Sequence, residues 1–118
     1  MNIKQAIFAF ALSEKVKSGL IWASQTIELS KGLPESDRQG ADIIIKSIVN
    51  MIANEIHLAR KMTKDSTWYD VEKHIDMAIV MINSMVVHEA GLHMTRALSH
   101  VTSIAQRSMT ILKEEGLI

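Results

Sequence analysis

The stretch ADIIIKSIVNMIANEIHLA, residues 41–59, shows most clearly which kind of fold this chain adopts. Its apolar residues recur in steps of three and four, which is the spacing of one helical face. Neither Pro nor Gly interrupts it. We therefore predict an amphipathic α-helix, whose buried stripe consists of Ala41, Ile45, Ile48, Ile52, Ile56 and Ala59.

Breaks on either side of this stretch divide the chain into four helices. Gly32 and Pro34 predict the first break, because neither residue suits a helix interior. The polar run 63–67 predicts the second break, and Gly91 followed by Thr95 predicts the third. The predicted helices cover about residues 2–31, 36–63, 67–91 and 95–114.

These helices predict an all-α fold, an antiparallel up-down four-helix bundle that forms a single domain over residues 1–118. This length suits one core, and only 4% of the chain is aromatic, so Ile, Leu, Val, Ala and Met must fill that core. Short connections make sequential helices antiparallel neighbours. Alternatively, helices 3 and 4 are fused into one long helix in an exchanged dimer.

Composition and charge argue against several classes of function. Thirteen basic and thirteen acidic side chains give zero net charge, so we expect neither a nucleic-acid nor a membrane partner. The absence of Cys excludes disulfides, thiolate metal sites and a Cys nucleophile. No apolar run approaches the roughly 20 residues of a membrane span, and we expect a cytoplasmic protein.

Two helices carry more apolar residues than one buried stripe needs. On helices 1 and 3 a second set lies roughly opposite the first, at about 100° per residue, where a surface helix should be polar. Contiguous exposed apolar surface usually marks an interface, so we predict a homodimer, with a protein or peptide as a second kind of partner. The predicted interface residues are Ile3, Ile7, Phe10, Ile21, Val80 and Val87.

Glu89 and His93 form a carboxylate–imidazole pair on one helical face. They are four residues apart, and they point in the direction of the predicted core stripe of helix 3. Together with His88 and Glu55 they could hold a divalent metal ion, as facing helices do in carboxylate bundles. The Glu-x-x-His motif of those bundles is absent. We therefore expect no cofactor and keep a metal- or small-ligand-binding bundle as the alternative.

Two further groups of residues point to ligands or phosphotransfer. Met77, Met81 and Met85 form a ridge on helix 3, and polarizable Met side chains can line an adaptable ligand groove, although they more often fill gaps in a core. His57, expected on the polar face of helix 2, and His88 raise a histidine phosphotransfer domain as the second alternative. The residues that typically follow the histidine of such a domain are absent at both positions.

No polar residues converge in the predicted bundle, and this favours binding over catalysis. The preferred prediction is a non-enzymatic homodimeric bundle that acts as an adaptor or regulatory binding module. Arg96, His100, Ser103 and Arg107 form a mildly basic strip on helix 4 that suits an acidic partner, although such strips are usually solvated helix faces.

Overall fold

The computed structural model describes residues 1–118 and contains four α-helices and no strand. Each helix is built on apolar residues spaced three and four apart. The predicted all-α four-helix bundle is therefore confirmed. None of the helices combines the length and the apolar character needed to cross a membrane. The helices are α1 (Ile3–Lys31), α2 (Glu35–Met62), α3 (Thr67–Asn83) and α4 (Val87–Glu114).

The helices pack side by side along the length of the molecule, which measures 54 × 21 × 18 Å. α1 packs against α2 and α4, and α3 packs against the same two helices, so α1 and α3 occupy opposite corners. All four helices contribute to one contiguous core, in which burying a large apolar side chain contributes about 1.5–3 kcal/mol. Its largest fully buried side chains include Leu20, Ile45, Ile75, Ile104 and Trp68.

Side-chain hydrogen bonds fix where α1 begins and how it passes into α2. The Asn2 side chain accepts from the Gln5 backbone N–H at 2.8 Å, and the Asn2 N–H donates to the Gln5 side chain at 3.0 Å. This capping box satisfies donors that the first helical turn leaves unpaired. At the other end, the Arg38 guanidinium donates to the backbone oxygens of Lys31 and Leu33, which closes the α1–α2 connection.

A carboxylate at the start of α3 anchors this helix to α4. Asp65 Oδ1 accepts from the Thr67 backbone N–H at 2.9 Å, and Oδ2 accepts from the Arg107 guanidinium at 2.7 and 3.1 Å. Burial raises the pKa of Asp65, but the bonds from Arg107 and Thr67 outweigh this effect and hold the pKa below its ordinary value. The carboxylate therefore stays charged and joins the two helices.

The third connection lies at Met85 and its two neighbours, not at the predicted 91–95. Met85 has a φ of 67°, the left-handed conformation that ends many helices. The Val86 N–H donates to the Met81 oxygen and the Met85 N–H to the Ile82 oxygen, which are the two bonds of a Schellman motif. Gly usually occupies that left-handed position, so a Met there is not recognisable from sequence. Helices 3 and 4 are separate, and the alternative of a fused helix is wrong.

Candidate functional site

Three of the four residues predicted as metal ligands lie near the start of α4, and the fourth, Glu55, lies far from them. His88 and Glu89 are exposed in the first turn of α4, at the end of the bundle where α2 begins. Glu55 follows the start of α2 by roughly 20 residues, or about 30 Å along the helix axis. No three His, Asp or Glu side chains are grouped so that they could hold a metal ion. The metal-binding alternative would need ligands from a second copy of the chain.

The position of the third connection changes the surroundings of the predicted Glu89–His93 pair. From the sequence, both residues were predicted at the end of helix 3, facing the core. In the structure both lie on α4, where Glu89 is exposed and His93 is half-buried against α3. His88 lines a depression with Asp42 and Met85. Its volume, about 120 Å³, is below the roughly 300 Å³ at which small-molecule pockets begin. The depression therefore offers no enclosed ligand site.

The predicted methionine ridge is shortened for the same reason. Met77 and Met81 lie on α3, but Met85 belongs to the connection and is 77% exposed. Met81 packs against the core, whereas Met77 lies at the outer surface. The ridge on α3 is thus two residues long, with Met77 exposed and Met81 half-buried against the core.

Of the two histidines considered for phosphotransfer, only His88 is exposed. His57 is half-buried, and its Nε2 lies 3.4 Å from the Glu72 carboxylate on α3. Arg60 Nε lies 3.2 Å from the same carboxylate oxygen. Glu72 is therefore within ion-pair distance of both groups of α2, but Arg60 Nε and Glu72 Oε2 make no hydrogen bond. The His57 side chain is 44% exposed, so this contact leaves it open to solvent.

Three histidines form a stack where α3 meets α4, and this stack was not predicted from the sequence. The centroid of the His74 ring lies 5.9 Å from that of His93 and 5.5 Å from that of His100. Burial lowers the pKa of His74, and repulsion from His100, His93, Arg96 and Lys73 lowers it further. The Nδ1 atoms of His74 and His93 are buried without a hydrogen-bond partner. The available signal was the seven-residue spacing of His93 and His100, which puts both on one side of α4.

The predicted interface residues fall on opposite sides of the bundle. Val80 is exposed on α3, which lies diagonally across from α1. Val87 packs into the core with 7% exposure, which corrects its expected surface position, because this residue begins α4 instead of continuing helix 3. The other four lie on α1, where three are exposed and the last is half-buried: Ile3, Ile7, Ile21 and Phe10.

An apolar outer surface spans α1 and its neighbour α2. On α2, positions 44, 48, 51, 55, 58 and 62 follow steps of four and three, a heptad stripe beside the buried one. Met51 on α2 is 64% exposed, and Trp22 on α1 is 67% exposed. Only the buried stripe of helix 2 was predicted from the sequence, and this second stripe was not. We call the surface the α1/α2 face, and its members are Phe8, Ala11, Trp22 and Leu29 of α1 and Ile44, Met51, Leu58 and Met62 of α2.

One ion pair crosses the middle of the α1/α2 face. Lys15 Nζ on α1 lies 2.9 Å from Glu55 Oε1 on α2. One turn further along α1, a Cβ added to Gly19 would lie 3.1 Å from the Ile52 side chain, so the two helices approach closely there. These two contacts fix the register of the antiparallel pair: residues of α1 and α2 at the same height have numbers that add up to about 70.

No protein-family model, no curated protein and no solved structure matches this chain. The class of protein therefore rests on the fold and its surface. These define a four-helix bundle with one core, an exposed apolar face across two adjacent helices, and a histidine stack between the other two.

Proposed function

We propose that this chain is a homodimeric contact module, an adaptor or regulatory binding domain that acts by binding other surfaces and not by catalysis. The α1/α2 face is the observation that carries this proposal. Large apolar side chains clustered at the surface of a soluble domain usually mark an interaction site. With zero net charge, copies of the chain also lack the general repulsion that opposes association.

Two carboxylates of the bundle support the same proposal. Glu72 contacts His57 and Arg60, and Asp65 contacts Arg107, so these carboxylates join helices together. General acid–base chemistry needs a proton-transfer group that can reach a substrate, and these groups already contact one another within the bundle. The cytoplasmic location inferred from the sequence stays a prediction.

The test is the solution mass measured by light scattering over a range of concentrations, with and without a chelator. We expect twice the chain mass of 13.2 kDa, unchanged by the chelator. A monomer at all concentrations would contradict the proposal. A dimer that dissociates on chelation would favour the metal-binding alternative, with His88, Glu89 and His93 as the first ligands to replace.

A further inference from the structure

We propose that a second copy of this chain covers the α1/α2 face about a two-fold axis that runs along the groove between α1 and α2. This inference rests on the proposed self-association and adds the place and the orientation in which the two copies meet. In a symmetric dimer the same surface serves both subunits, and the axis lies in the plane of contact. With the axis parallel to the helices, α1 of each copy lies over α2 of the other.

Charge complementarity selects this orientation. Lys15 and Glu55 lie side by side at one height, and their side chains are 65% and 31% exposed, so both still present charge outward. The proposed axis places Lys15 over Glu55 of the partner subunit, and Glu55 over Lys15 of the partner subunit. Four charges then alternate in sign around the axis. An axis that crosses the helices at this height would place Lys15 over Lys15 of the partner subunit, which is unfavourable.

Side-chain size favours the same orientation. Met51 and Leu58 project outward from α2, whereas the residues at matching heights on the outer side of α1 are the small Ser18 and Ala11. The proposed axis places Met51 over Ser18 of the partner subunit and Leu58 over Ala11 of the partner subunit. In these two layers large side chains then meet small ones, as knobs meet holes between packed helices.

The dimensions of the α1/α2 face also suit a second copy. On α1 the face extends from Phe8 to Leu29, which is about 30 Å at 1.5 Å per residue. Two adjacent helices, with axes about 10 Å apart, are about 20 Å wide. The projected area of the face is therefore about 600 Å², and the projecting side chains add further area to this value. A stable interface of ordinary size buries about 800 Å² per partner, so the face is large enough to contribute most of one.

The test uses a variant in which the two charges are exchanged, Lys15→Glu/Glu55→Lys. The exchange keeps an ion pair inside each subunit, so the variant should fold and should dimerise as tightly as wild type. When it is mixed with wild type, the proposed orientation brings like charges over one another in every heterodimer. Native mass spectrometry with one partner isotope-labelled measures how many heterodimers form after the subunits have exchanged.

Random exchange would make half of the dimers heterodimers. We expect heterodimers to make up less than about a quarter of the dimers at low salt, because like charges then face one another. These charges are partly exposed, so added salt screens them and the heterodimer share should return toward half. A heterodimer share at or above half at low salt would overturn the proposed orientation while self-association stands. A wild-type chain that stays monomeric would instead show that the proposed function itself has failed.

Discussion

Replacing Gly91 with Ala is expected to stabilise the protein by about 1 kcal/mol. Gly91 lies inside α4, and a Cβ added there would meet no atom within 4 Å. Inside a helix Ala is more favourable than Gly by about 0.8–1.0 kcal/mol, because Gly loses more backbone freedom on folding. No contact opposes this gain. Urea unfolding followed by circular dichroism should show a higher midpoint with an unchanged slope.

Two other glycines provide matched controls for this substitution. Gly40→Ala, in α2, also adds its Cβ in open space and should give a similar gain. Gly116, beyond the end of α4, has a φ of 71°, so Gly116→Ala is strained and should lower the free energy of unfolding. A loss in Gly91→Ala comparable with that in Gly116→Ala would show that Gly91 ends a helix, as the sequence predicts. It would refute the placement of the third connection at Met85.

Acidification and core truncation test other parts of the structure. Stability should fall as the pH drops below 6.5, because the unfolded chain then binds a proton at His74 that the folded chain, with its lowered pKa, does not bind. His74→Phe keeps a ring in the stack, and its free energy of unfolding should fall less on acidification than that of wild type. The control His88→Phe should lose as much on acidification as wild type does. Equal losses in the two variants would rule out the stack as the cause. Leu20→Ala, in the core, should reduce the free energy of unfolding by about 2–5 kcal/mol, while Leu92→Ala, exposed on α4, should change it little; similar losses would contradict the assigned core.

The sequence predicts the helices well because each one carries an apolar repeat that only an α-helix can bury. Ile45, Ile52 and Ile56, predicted as core residues from spacing alone, are buried between the helices. The third connection could not be predicted in the same way. Its left-handed position holds Met85, whose conformation depends on the Schellman bonds around it, while Gly91, the residue expected to break the helix, lies within α4.

The candidate surfaces were harder to predict because they depend on which helices are neighbours and on how they are staggered. Val80 and Ile7 both have the spacing of a second apolar stripe, but α1 and α3 lie diagonally opposite, so these residues cannot share one surface of a single subunit. The α1/α2 face was missed for a different reason: α1 and α2 were expected to be neighbours, but only the buried stripe of helix 2 was considered. The histidine stack likewise depends on the stagger of α3 against α4, because the His74 ring must lie near both His93 and His100. The predicted third connection would have given these two helices a different stagger.

The position of the proposed dimer interface is tested by comparing the solution mass of Met51→Glu with that of Val80→Glu. Both substitutions place a carboxylate at an exposed apolar position, one on the α1/α2 face and one on the far side of the bundle. With helical content unchanged in both, we expect Met51→Glu to be a monomer and Val80→Glu to keep the mass of the wild-type dimer. A dimeric Met51→Glu beside a monomeric Val80→Glu would place the interface on α3 and show that two copies do not meet at the α1/α2 face.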